Sequence, residues 1–170
     1  MPASNNAPII PLKEFDHEME TTRKMLERVP DDQPHFKPHE RSMEFGYLTF
    51  LVAAIPGWID QTLRTDAIDL GEGKKPDAIT TRDILQMFDK NVHQAREALQ
   101  TITGDKLNED WSLKRGDAVL MTLPRGEAAR QHLSHLVHHR GQLSVYERLL
   151  DVKLPQIYGP SADTPWGSKS

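Results

Sequence analysis

Four of the chain's eight histidines fall within two helical turns, in His132-Leu133-Ser134-His135-Leu136-Val137-His138-His139. Side chains four apart on a helix project from one face, so His135 and His139 aim their imidazoles at a common point. Two converging imidazoles suit a borderline divalent ion such as zinc, nickel or iron. They make half of a site, because a catalytic zinc takes three protein ligands and keeps one open position. His138 points about a third of a turn away, and His132 shares the face of His139 two turns distant, so both are read as bystanders. Gln142 and Tyr146 continue the His135/His139 face and offer further polar atoms. A hydrogen-bonded network of these four side chains, with no ion, is the competing reading.

The element that positions this cluster is a helix from about Glu127 to Leu150, with an apolar stripe at Ala129, Leu133, Leu136, Leu143 and Leu150. Arg140 and Glu147 interrupt that stripe and are expected to pair with neighbouring helices or across a dimer interface. Three more helices are expected. The first runs from about Leu12 to Val29, ended by Pro30. The second runs from about Met43 to Arg64, with Ser42 as N-cap and Pro56-Gly57 kinking or interrupting it. The third opens with a Thr80/Asp83 capping box, carries a stripe from Leu85 to Ile102 and is stopped by Gly104. Long connections cover Asp66 to Ala78 and Asp105 to Arg125, and Asp117 to Thr122 is read as a short extended piece. The fold class expected is therefore all-α: a four-helix bundle with long crossover connections and a non-helical C-terminal tail. It forms one domain over 1–170, with its core at about 12–151 and its tail at 152–170.

Composition narrows the function. A net charge of −4 gives no electrostatic footing for nucleic acid or an anionic membrane. Zero cysteines exclude disulfides, thiolate ligands and a cysteine nucleophile, and fit a cytoplasmic protein. Residues 1–10 do not read as a signal peptide, and the apolar run Phe45 to Ile59 is too short and too broken to span a bilayer. No Gly-x-Ser-x-Gly elbow is present, which disfavours a serine hydrolase. Trp58, Trp111 and Phe36 are read as packing anchors, and His17 and His93 as surface histidines.

The segment from His132 to Asp163, above all His139-Arg140-Gly141-Gln142-Leu143 preceded by His135, resembles the C-terminal signature of the DinB/YfiT-like family of metalloenzymes. Phe36-Lys37-Pro38-His39-Glu40-Arg41-Ser42, Ile55-Pro56-Gly57-Trp58, Thr81-Arg82-Asp83-Ile84, Trp111-Ser112-Leu113-Lys114 and Thr122-Leu123-Pro124-Arg125 fall in that family's order. The resemblance covers about Leu12 to Asp163. It implies a four-helix bundle, a homodimer, and a divalent metal held by three histidines, two of which match His135 and His139. Some relatives use such a metal to activate a small thiol for transfer. The third histidine is expected in the middle of the second helix, where this chain carries Leu51. No His, Asp, Glu or Cys occurs from Phe45 to Ile59, and only Tyr47 and Thr49 offer a side-chain oxygen. His35 and His39 are the nearest alternatives in sequence, in the loop ahead of that helix.

Three functions follow. The chain is a metal-dependent small-molecule (thiol) transferase or hydrolase, for which no catalytic residue can be named. Alternatively it binds a small ligand between an apolar wall at Leu51, beside Tyr47, and a polar wall at His135, His139, Gln142 and Tyr146. In the third reading it is a non-catalytic dimeric structural protein.

Overall fold

The computed structural model describes residues 9–71 and 80–167. The signal-peptide reading of residues 1–10 and the loop readings of 72–79 fall largely or wholly outside the described residues.

Helix α1 (Leu12–Leu26) buries Phe15, Met19, Thr22, Met25 and Leu26, a three-and-four spacing that makes one inward stripe. It ends three residues before the expected Val29. Pro30 disfavours helical geometry in the residue before it, and the last turn tightens into Arg28 N–H to Met25 O and Val29 N–H to Leu26 O bonds of the i→i−3 kind.

Helix α2 (Phe45–Arg64) is the most apolar of the long helices. Ser42 does not cap it; Glu44 occupies the N-cap position without a side-chain bond. The preceding loop does the capping instead. Phe36 O accepts from Phe45 N–H and Pro34 O accepts from Gly46 N–H, both at 2.9 Å, so loop carbonyls meet donors that a helix start leaves open. Gly46 permits that approach, since a Cβ there would lie 3.2 Å from Pro34 O. Pro56 lies within α2 without interrupting it. In the turn that its missing N–H disturbs, Ala53 O accepts from Asn91 Nδ2 of the neighbouring helix at 3.0 Å.

Helix α3 (Thr81–Thr101) opens with the expected Thr80/Asp83 capping box, both reciprocal bonds present. Gly104 does not stop it. Ile102 ends it in an extended conformation, and Gly104 opens a short helix, α4 (Gly104–Asn108).

The all-α four-helix expectation is overturned at the two long connections. The described residues hold five helices and a three-stranded mixed sheet, so the chain is α/β. Strand β1 (Ala67–Asp69) pairs parallel with β2 (Asp110–Arg115), and β2 pairs antiparallel with β3 (Ala118–Pro124). The physical reason is a period-two pattern, Trp111/Leu113 and Met121/Leu123, joined by the two-residue turn Gly116-Asp117. Gly116 has φ +58°, the sign that the first position of such a turn requires. Asp69 Oδ1 accepts from Gly116 N–H at 3.1 Å and from Gly71 N–H at 2.8 Å, fastening β1 to the hairpin turn. Those backbone donors hold the Asp69 carboxyl below its usual range.

Helix α5 (Arg125–Leu149) follows β3 directly and packs chiefly on α2. Two buried arginines fix it. Arg125 donates to Thr62 O at 2.9 Å and to Thr65 O, which ends α2, and pairs with Asp66 at 2.7 Å. Arg140 pairs with Glu18 of α1 at 2.7 Å and donates to Tyr158 Oη, also at 2.7 Å, while Tyr158 donates to Glu18 at 2.9 Å. That triad holds the helix-free tail, described to residue 167, against α1 and α5. Glu147 is fully buried, with both carboxylate oxygens unpartnered among the described residues. Burial pushes its pKa up to about 8, against the opposing pull of Arg28. No helix among the described residues is long and apolar enough to cross a membrane.

Candidate metal centre and adjoining cavity

Helical spacing brings His135 and His139 together as expected: Nε2 to Nε2 is 2.7 Å, with ring centroids 4.5 Å apart. His139 is buried and His135 half-buried. Gln142, one further turn on, places Oε1 2.7 Å from His139 Nδ1. An amide oxygen accepts, so Nδ1 carries the proton and the Nε2 lone pair of His139 faces His135. His135 then donates its Nε2 proton into that lone pair. Burial lowers both imidazole pKa values first; beyond that, His139 lowers that of His135, and the Gln142 bond partly offsets the fall at His139. Both rings are therefore unprotonated at neutral pH, the state that ligates metal.

The remaining candidates lie apart from this pair. Tyr146 stacks on Phe45 (6.2 Å), meets Phe36 edge-on (6.1 Å) and donates to Met43 O at 3.1 Å. That fastens α5 to the start of α2. Tyr47 stacks on Phe50 at 6.5 Å. His35 is exposed beside Glu44, and His39 accepts from Arg41 N–H in the exposed loop. His93 is exposed beside Glu97, as expected.

Leu51 is buried on α2, and its level along α5 follows from contacts two turns away. Trp58 packs against His132 with ring centroids 5.9 Å apart. The two helices run antiparallel, with Phe45 beside Tyr146 at the far end. Counting about two turns back from Trp58 reaches Leu51, and two turns forward from His132 reaches His139. Leucine thus occupies the level at which a third imidazole would meet the pair. Among the described residues no third His, Cys, Asp or Glu joins these two.

His132 stands apart from the His135/His139 pair and is largely enclosed. Its ring is wedged between Trp58 and the buried Trp111, centroids 5.9 and 5.8 Å away. Its Nε2 is sealed from solvent with no partner among the described residues, and burial holds its pKa down to about 4. Trp58 and Trp111 were legible as packing anchors; that they enclose a histidine was not.

Beside this wedge lies a cavity of about 320 Å³. Ile68, Leu70, Leu113 and Met121 of the sheet region form one side, and Trp58, Gln131, His132 and His135 of the helices form the other. Ile68 pairs with Leu113 and Leu113 with Met121, so three wall residues stand in one row across the strands. Leu51, Tyr47, Gln142 and Tyr146 do not line this cavity.

A model of the DinB family matches residues 1–167. YrdA of Bacillus subtilis, an uncharacterized protein, is 23% identical over 152 residues, 89% of this chain and 88% of YrdA. A DinB-like protein of Bacillus cereus has a similar fold, with TM-score 0.67 and 24% identity over 86% of this chain and 95% of that one. The DinB-like protein YjoA of Bacillus subtilis gives TM-score 0.63 and 18% identity over 86% of this chain and 96% of its own.

Proposed function

The chain belongs to the DinB family, and from that premise we propose that it acts on a small molecule at a two-imidazole divalent-metal site, His135 plus His139. The observation that carries this is the convergence of the two Nε2 atoms at 2.7 Å with Gln142 behind His139. A metal-ligating histidine commonly donates its other ring N–H to an oxygen that fixes ring and tautomer, and Gln142 is placed for that role. The fit is partial. Zinc bonded at about 2.0–2.1 Å in tetrahedral geometry needs its two nitrogens roughly 3.3 Å apart, so the rings must part by some tenths of an ångström and the proton between them must leave. The facing position on α2 does not fit, because Leu51 offers no lone pair.

An ion held there supplies Lewis acidity that lowers the pKa of a coordinated water or thiol. The chain's own residues supply the rest. Gln142 holds the His139 ring, Leu51 keeps one wall dry, and His135 carries the site to the edge of the cavity. With two protein ligands, binding is weak and exchangeable, leaving coordination positions for a substrate.

The competing reading also has an observation behind it. At 2.7 Å the pair satisfies itself as an N–H···N hydrogen bond, and with Gln142 it is a complete polar chain without an ion. Elemental analysis of tag-free protein loaded with nickel or zinc separates the two readings. One equivalent in the wild type that is lost in the His135→Ala/His139→Ala protein supports the metal site. No bound metal after loading leaves a hydrogen-bonded pair lining a ligand-binding protein.

A further inference from the structure

The cavity between sheet and helices has a chemistry of its own. None of its eight lining residues is Asp, Glu, Lys or Arg. A charged ligand would lose its hydration there and find no counter-charge. The row Ile68–Leu113–Met121 presents a continuous apolar wall, and the Trp58 indole presents an aromatic surface opposite. The volume falls in the range of small-molecule sites, roughly 300–1,000 Å³. Water is a poor permanent occupant, since an ordered water needs two to four polar partners, and here polar groups are confined to the helical side.

His132 lines the cavity too, but its Nε2 is sealed and out of a ligand's reach. We propose that the cavity binds an uncharged, ring-bearing organic molecule, the ring between Trp58 and the Ile68–Leu113–Met121 wall. His135 borders the same space, its ring 5.8 Å from Trp58. The molecule therefore rests against the imidazole that reaches His139, and the inference gives the substrate class for the site proposed above. It rests on that reading only for the chemistry; binding needs no metal.

The test is titration calorimetry of the full chain at neutral pH in excess chelator, with 2-naphthol and 2-naphthoate as probes of one ring shape and different charge. We expect 2-naphthol to bind at least about tenfold tighter than the anion, a difference of about 1.4 kcal/mol. Met121→Trp, or Leu113→Trp where the first variant does not fold, should abolish 2-naphthol binding in a folded protein. Equal affinity for the two probes, no binding of either, or binding that survives a folded cavity-filling variant overturns the proposal. Because chelator is present throughout, a positive result beside a failed metal-loading experiment sinks the metal reading alone.

Discussion

Leu51 on α2 stands level with His139 on α5, each about two turns from the contact between Trp58 and His132. Under the proposed metal reading, that relation is what limits the site to two imidazoles. Two imidazoles converge at 2.7 Å from one helix, and the facing helix answers with a buried alkyl group.

Leu51→His should therefore rebuild a three-imidazole site. Nickel or zinc affinity, measured by competition with a chromophoric chelator, should rise by at least about tenfold, equivalent to about 1.4 kcal/mol. An unchanged affinity in a folded variant would mean that Leu51 does not face the pair.

Gln142 bonds His139. Gln142→Leu removes the Nδ1 acceptor, and loss of such a supporting bond typically costs about 10–100-fold in metal affinity. Without metal, the His139 pKa should fall further, because the Gln142 bond opposes the effect of burial. NMR titration of the imidazole carbons reads that shift, and a rise would contradict the assigned hydrogen bond.

Glu147 and His132 give the stability–pH profile two opposite limbs. The Glu147 pKa is raised from 4.5 to about 8, so the folded state holds a proton that the unfolded chain releases. Its contribution is fully present below about pH 4.5 and is lost as pH rises to about 8, by at most about 1.4 kcal/mol per unit. His132 is lowered from 6.5 to about 4, so its contribution is present above about pH 6.5 and lost as pH falls toward 4. The limbs oppose each other between about pH 4.5 and 6.5, which leaves Glu147 isolated above it. Urea unfolding at pH 6.5 and 8 should show a decline that Glu147→Gln flattens. A Glu147→Gln protein with the wild-type slope would show that Glu147 ionises without cost.

Arg140 is a structural anchor. Arg140→Met removes the cation paired with the buried Glu18 carboxylate and one of the bonds that hold Tyr158 of the tail, and breaking a buried pair from one side costs about 3–5 kcal/mol. Tyr158→Phe removes one bonding hydroxyl and should cost about 1 kcal/mol. Denaturant midpoints that fail to rank Arg140→Met well below Tyr158→Phe would contradict this.

What could be read from the chain follows from the range of each signal. The His135/His139 convergence needs only one helix and its period, so spacing alone foretold it, and Gln142 followed one turn on. The Thr80/Asp83 box is equally local. The sheet was half visible: Asp117 to Thr122 reads as extended, but Gly116-Asp117 also signals a two-residue hairpin turn, and Trp111 and Leu113 alternate before it. Three-residue β1 carries too little pattern to be seen, and its parallel pairing with β2 depends on tertiary placement. The cavity was hidden for the same reason, because its walls come from three strands and two helices. His132 is superfluous as a metal ligand in the helical spacing, and its enclosure between Trp58 and Trp111 depends on the strand and helix that bring those rings to it. Ser42 failed as a cap because loop carbonyls at Pro34 and Phe36 took over, a long-range arrangement that no local propensity encodes.

Whether His135 and His139 share a divalent ion decides between the metal centre and the hydrogen-bonded pair. Diffraction at the metal edge from crystals grown with nickel or zinc tests it most directly. A shared ion gives one anomalous peak about 2.0–2.2 Å from both Nε2 atoms, with the nitrogens parted to about 3.3 Å. Nitrogens still in hydrogen-bond contact, with no peak between them, would contradict it.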